Sequence, residues 1–183
     1  MTDRPTGPHA APNVIVIMGV SGSGKSAVGL RLAERLCWPF ADADDFHSPS
    51  NIAKMHGGAP LNDDDRAPWL RAVAAQIDVW RSRRGHGVLA CSALKRAYRA
   101  EVIGARDNVR LIYLKGDQDL IKARLEHRRD HFMPANLLDS QFAALEEPAP
   151  EEHAITVSID QSIDRTVEDI LNRLNVARDV AAS

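Results

Sequence analysis

The sequence is poor in the features that mark secreted, membrane-spanning or nucleic-acid-bound proteins. Cysteine occurs twice, as Cys37 and Cys91, far apart and without CxxC spacing. That excludes a disulfide framework and fits two reduced thiols in a cytoplasmic protein. No apolar run approaches the roughly 18 residues of a membrane span. The opening MTDRPTGPHAAPN holds three prolines and no hydrophobic segment, so residues 1–12 read as a disordered tail and not as a secretory signal. Neither charge is in excess, with 23 Lys and Arg against 25 Asp and Glu. A protein living on a nucleic-acid backbone is usually basic, so a small-molecule partner is expected instead. No repeat or low-complexity segment is visible. The 183 residues are most simply one domain over 13–183.

What is present is an alternation of strands and helices. VIVIM (14–18) is a short continuous apolar run, the pattern of a strand buried on both faces. Residues 26–36 carry Val28, Leu32 and Leu36 on a helical stripe. A short strand is expected near Phe40–Ala41, two more within 87–93 and 108–116, and a fifth over 154–159. Helices are expected over 68–81, 117–129, 136–147 and 162–176. This order predicts a parallel α/β sheet with helices on both faces. In such sheets ligands bind at the carboxyl ends of the strands.

Between the first strand and first helix lies GVSGSGKS: Gly19, Val20, Ser21, Gly22, Ser23, Gly24, Lys25 and Ser26. It matches the phosphate-binding pattern GxxxxGK followed by Ser or Thr. Backbone amides freed by the glycines converge on an anion at the positive end of the helix. Lys25 is expected to reach the β and γ phosphates of ATP, and the Ser26 hydroxyl to ligate Mg²⁺. The base-reading Asn/Thr-Lys-x-Asp motif of GTP switches is missing. Leu114-Lys115-Gly116-Asp117 comes close, but Leu stands where the amide or hydroxyl belongs.

After the second strand, Asp42-Ala43-Asp44 sets two carboxylates two residues apart. In extended geometry they point the same way. One could hold Mg²⁺ through water and the other accept a proton from an attacking hydroxyl. In the helix from Asp117, Arg124 and Arg128 continue the stripe begun by Leu120. Arginines on an inner stripe are costly unless they meet an anion, and a transferring phosphoryl group is one. His127 and His131 have the i,i+4 spacing of zinc ligands, but no third ligand stands at fitting spacing. Cys91 reads as strand packing.

These motifs together resemble the gluconate kinases: GVSGSGKS, DADDFH, NIAKM, PLNDDDR-x-PWL, CSALK and R-x-x-H-F. That family of P-loop small-molecule kinases is related to shikimate and nucleoside monophosphate kinases, and the similarity runs over about 13–175. It implies a three-layer P-loop kinase fold with a five-stranded parallel sheet and a helical lid near 120–145. It also implies ATP-dependent phosphorylation of D-gluconate on its 6-hydroxyl, in a homodimer. By the same resemblance His47, Lys54 and Arg66 line the acceptor pocket, and Ser92 with Lys95 closes it. Arg128 and Arg124 belong to the lid, which His131 orients over the substrate. Asp44 is then the first choice for contact with the attacking hydroxyl and Asp42 for the Mg²⁺ shell, with the two roles exchangeable. The alternatives are a kinase of another acceptor such as shikimate, or a nucleotide-dependent switch.

Overall fold

The computed structural model describes residues 12–126 and 135–174. Strand β1 (Val14–Met18) is wholly buried. It pairs with β3 (Gly87–Ala90) on one side and β4 (Val109–Lys115) on the other. β2 (Phe40–Asp42) and β5 (Ile155–Ser158) complete a parallel sheet in the order β2-β3-β1-β4-β5. Ile15 and Ile17 face one layer, with α1 (Lys25–Leu36) and α7 (Ile163–Leu174). Val14, Val16 and Met18 face the other, with α3 (Asp63–Ser82) and α4 (Arg96–Val102). Neither face of β1 meets water, which is why its sequence does not alternate. Each of its side chains contributes about 1.5–3 kcal/mol by burial.

β1 leads into α1 on one face of the sheet and β3 into α4 on the other. Connections that part in this way open a crevice at the carboxyl ends of the two strands. The phosphate loop follows Met18, the CSALK loop follows Ala90, and Asp42 is the last residue of the neighbouring β2. The sheet thus brings three of the sequence motifs to one edge.

One expectation is corrected. α3 begins at Asp63, not at Pro68. Pro68 therefore lies inside the helix, where it removes an N–H and crowds a carbonyl, at a cost of about 3 kcal/mol in an ordinary interior. A capping box offsets this: Asn62 Oδ1 accepts from the Asp65 amide at 2.8 Å, and Asp65 Oδ2 accepts from the Asn62 amide at 2.9 Å. Three acids in the first turn add to the effect at the positive end of the helix. The sequence marks no element over 43–56, and the segment is not open loop. It contains a 3-10 turn (Ala43–Phe46) and α2 (Pro49–His56), capped by Ser48 with Pro49 in the first turn. Both elements are too short to show a hydrophobic period. α5 (Gln118–Glu126), α6 (Ala135–Ala144) and a second 3-10 turn (Pro150–Glu152) complete the described chain.

Candidate active site

The phosphate loop has the expected form. Gly22 and Gly24 have φ of 82° and 90°, backbone that L side chains rarely adopt. Gly24 caps α1 without a side chain, and no acid stands in the first turn. The first amides of α1 are therefore left for a ligand. A Cβ added at Gly24 would find nothing within 4 Å, so the loop borders open space. The buried Ser23 hydroxyl has no hydrogen-bond partner, leaving one orphaned polar atom beside it. Lys25 folds back so that Nζ donates to the Val20 carbonyl at 3.1 Å. These features fit a bound phosphate chain.

Asp42 joins the loop to the 3-10 turn after β2. Its Oδ2 accepts from the Ser26 hydroxyl at 2.5 Å, and its Oδ1 accepts from the Asp44 amide at 3.1 Å. A hydroxyl beside a carboxylate is an oxygen donor set suited to a hard cation such as Mg²⁺. The pair is not extended as expected. Asp42 ends β2, while Asp44 lies in the 3-10 turn that Asp42 caps. The cap, and not alternation along a strand, sets their relation. Burial first, and then the neighbouring Asp42 charge, push the Asp44 carboxyl above its ordinary value against the opposing pull of Lys25 and His47.

Trp69, in α3, supports that turn. Its indole N–H donates to the Ala43 carbonyl at 2.6 Å, and its ring stacks on His47 with centroids 4.5 Å apart. Burial lowers the pKa of His47, which favours the neutral imidazole, and its Nδ1 is buried without a partner. Sequence reasoning gave Trp69 no role of its own, although it quoted the PWL motif that carries it.

The cationic side chains are brought together across α2, α3 and α4, but not bare. Lys54 pairs with Asp65 at 2.5 Å and Lys95 with Asp63 at 3.0 Å. The Tyr98 hydroxyl donates to Asp63, and Lys95 and Arg66 lie 5.2 and 5.8 Å from the centroid of its ring. Arg66 donates to the Leu61 carbonyl and forms no ion pair among the described residues. Both lysines are thus neutralised by carboxylates of α3. Ser92 is half-buried just past β3, next to Ala93 at φ 41°. Cys91 packs in the core, and burial pushes its thiol up to about 12; it is not a nucleophile at neutral pH.

Arg124 reaches the phosphate loop. It shares a groove of about 350 Å³ with Gly22, Ser23 and Gly24, walled by Ile159, Gln161 and Thr166. Its Nη2 donates to the Ile159 carbonyl at 2.5 Å. The segment after β5 carries no motif, so sequence reasoning could not find this wall. Gln141 of α6 was also missed; its Oε1 accepts from the Ser21 amide at 2.6 Å. Arg128 and His131, with His127, lie outside the described residues.

A parallel sheet of this order with a GxxxxGKS loop at its central strand defines a P-loop kinase. An AAA-domain family matches residues 14–148. The thermoresistant gluconokinase of Escherichia coli K12 is 44% identical, over 85% of this chain and 89% of its own. A gluconokinase structure from Sinorhizobium meliloti 1021 superposes with a TM-score of 0.82 at 41% identity, covering 90% of this chain and 93% of that one. A shikimate kinase from Bacteroides thetaiotaomicron shares the fold alone, with a TM-score of 0.64 at 18% identity, over 89% of this chain and 98% of its own. The chain belongs to the gluconokinase family.

Proposed function

We infer that the protein transfers the γ-phosphoryl group of ATP to the 6-hydroxyl of D-gluconate. Family membership over most of the chain carries the reading. The observation that supports the chemistry is the chain of contacts from Ser26 through Asp42 to Asp44. It joins a phosphate cradle to a carboxylate whose proton affinity is raised.

The cradle Gly19–Ser26 takes the phosphates, and the groove beside Arg124 takes base and ribose. Ser26 and Asp42 would hold Mg²⁺, which when bound offsets charge on the phosphates. The acceptor lies against Asp44, His47, Lys54, Arg66, Ser92 and Lys95. Its hydroxyl oxygen bonds to the γ-phosphorus while the bond to the bridging β–γ oxygen breaks, and ADP leaves. Asp44 accepts the hydroxyl proton. Its raised pKa suits it to that task nearer neutrality than an exposed aspartate. Lys25 follows the phosphates, and Arg124 and Arg128 stabilise the transferring group. His131 orients the lid. Closure of the segment 120–145 excludes water, so that the sugar acid takes the phosphoryl group. Assembly as a homodimer and a cytoplasmic location belong to the same reading and rest on family resemblance.

The test is kcat/KM with Mg²⁺-ATP for D-gluconate, D-glucose and shikimate. Glucose keeps the carbon chain but lacks the carboxylate, so the Arg66 guanidinium goes unmatched and it should fall at least about a hundredfold below gluconate. Shikimate has a carboxylate on a rigid ring that cannot extend its hydroxyl in the same way, and should also be poor. Equal values for gluconate and glucose would overturn the carboxylate pocket. A preference for shikimate would give the function to that alternative.

A further inference from the structure

Arg99 is 2% exposed and carries a charge that no step above uses. It lies on α4, just after the CSALK loop. Its Nε and Nη2 donate to the two carboxylate oxygens of Glu152 at 2.6 and 2.9 Å. Its Nη1 donates to the carbonyls of Ala93 and Leu94, both at 3.1 Å. Glu152 is fixed in turn by the Ala149 amide at 2.9 Å. The same loop is gripped a second time by the chain that follows α6. The Glu146 amide donates to the Leu94 carbonyl at 2.9 Å, and Glu146 Oε2 accepts from the Arg96 amide at 2.6 Å.

A buried ion pair contributes little to stability compared with well-packed apolar residues. What the pair does provide is a fixed fork of donors. Ala93 is in the left-handed region at φ 41°, a conformation that persists in a non-glycine residue only where its surroundings hold it. The two carbonyls that Arg99 holds lie between Ser92 and Lys95. The nucleotide groove shares no residue with this cluster.

We propose that Arg99, braced by Glu152, is a positioning residue of the acceptor site, fixing the backbone between Ser92 and Lys95 and thereby setting acceptor affinity but not nucleotide affinity. It rests on the reading that Ser92 and Lys95 meet the acceptor. Lysine at position 99 would keep the charge beside Glu152, but a single ammonium cannot span a carboxylate and two carbonyls.

The experiment measures KM for gluconate and for ATP, kcat and Tm in Arg99→Lys, Glu152→Gln, Ser92→Ala and Lys95→Ala. Arg99→Lys should raise gluconate KM at least about tenfold and keep ATP KM within about twofold of wild type. Glu152→Gln leaves the guanidinium on the carbonyls but loosens it, and should shift gluconate KM in the same direction by less. If Arg99→Lys does not fold, Glu152→Gln alone decides the matter. A lowered Tm with both KM values unchanged, or both KM values raised together, would reduce the pair to a structural role and overturn the proposal. Unchanged gluconate KM in Ser92→Ala and Lys95→Ala would instead overturn the acceptor reading of the loop. A rise in those two without a rise in Arg99→Lys defeats the positioning role alone.

Discussion

Gly22→Ala should separate what the phosphate loop needs for folding from what it needs for turnover. Two consequences follow from its surroundings. Alanine at φ 82° carries the strain of the left-handed region, about 1–2 kcal/mol. The new methyl would also stand 2.8 Å from Leu125 Cγ and 3.0 Å from Ile121 Cγ2. Carbon atoms prefer about 3.5–4.0 Å, so Leu125 must retreat by roughly 0.7 Å. Leu125 is half-buried near the end of α5 and can move at small cost. The retreat carries its neighbour Arg124 away from the nucleotide groove. Stability should therefore drop by at least the strain, which in a domain of this size is about 2–8 °C in Tm, because the buried Ile121 must also give a little. Turnover should suffer far more, because a misplacement approaching 1 Å costs about a hundredfold.

The assay is kcat/KM for ATP at saturating gluconate, beside a thermal melt. Gly58→Ala is the control: φ is 74° there, and an added methyl meets nothing within 4 Å. It should lose similar stability and keep its kinetics. If Gly22→Ala retains kcat/KM for ATP within about threefold of the Gly58→Ala control, α5 does not take its position from the loop and the argument fails.

Asp44→Asn should abolish most turnover and yet raise the Tm of the nucleotide- and metal-free protein at neutral pH. Burial and Asp42 raise the folded pKa of Asp44 above its ordinary 3.8, so its stabilising share is complete below that value and is lost as pH rises through the folded value. The Tm gap between variant and wild type should thus open from acid toward neutral pH; a gap independent of pH would count against the burial argument. Arg66→Lys should raise gluconate KM at least about tenfold through loss of the planar fork. Lys54→Ala should raise it less, since Asp65 already neutralises Lys54; the reverse order would mean that the carboxylate is read by the lysine.

The phosphate loop was legible in the sequence because its function is performed by the backbone. A loop that binds through amides must spend its positions on glycine and small residues, and that spacing is visible without a structure. β1 was legible for a related reason, since a strand covered on both faces must be apolar throughout. On the acceptor side only the pair Asp42 and Asp44 stood out in the residues themselves; the other assignments there came from family resemblance. The short elements of that side, the 3-10 turn at Ala43–Phe46 and α2 at Pro49–His56, leave too few residues for a period to emerge. The start of α3 was misplaced because a proline reads as a helix's first turn, whereas the capping pair Asn62 and Asp65 initiates it earlier. The groove wall around Gln161 and Thr166 gave no signal, because shape alone recruits it.

The acidic run Asp63–Asp65 shows why charge read residue by residue misleads. Counted along the chain, Lys54, Arg66 and Lys95 are three cations awaiting an anion. In the fold, Asp65 both closes the capping box of α3 and neutralises Lys54. Asp63 gathers Lys95 and Tyr98 while opening the same helix. The helix start and the cationic cluster are thus built from the same carboxylates. On the proposed function, a substrate carboxylate entering this cluster would meet a set already balanced in part, and Arg66 is the cation there with no anionic partner among the described residues. That makes the guanidinium the natural reader of the acceptor's charge, with the lysines left to its hydroxyls, which accept hydrogen bonds from ammonium groups without needing their full charge. Discrimination by charge then concentrates at one residue, on a helix whose first turn depends on the neighbouring acids for its own stability.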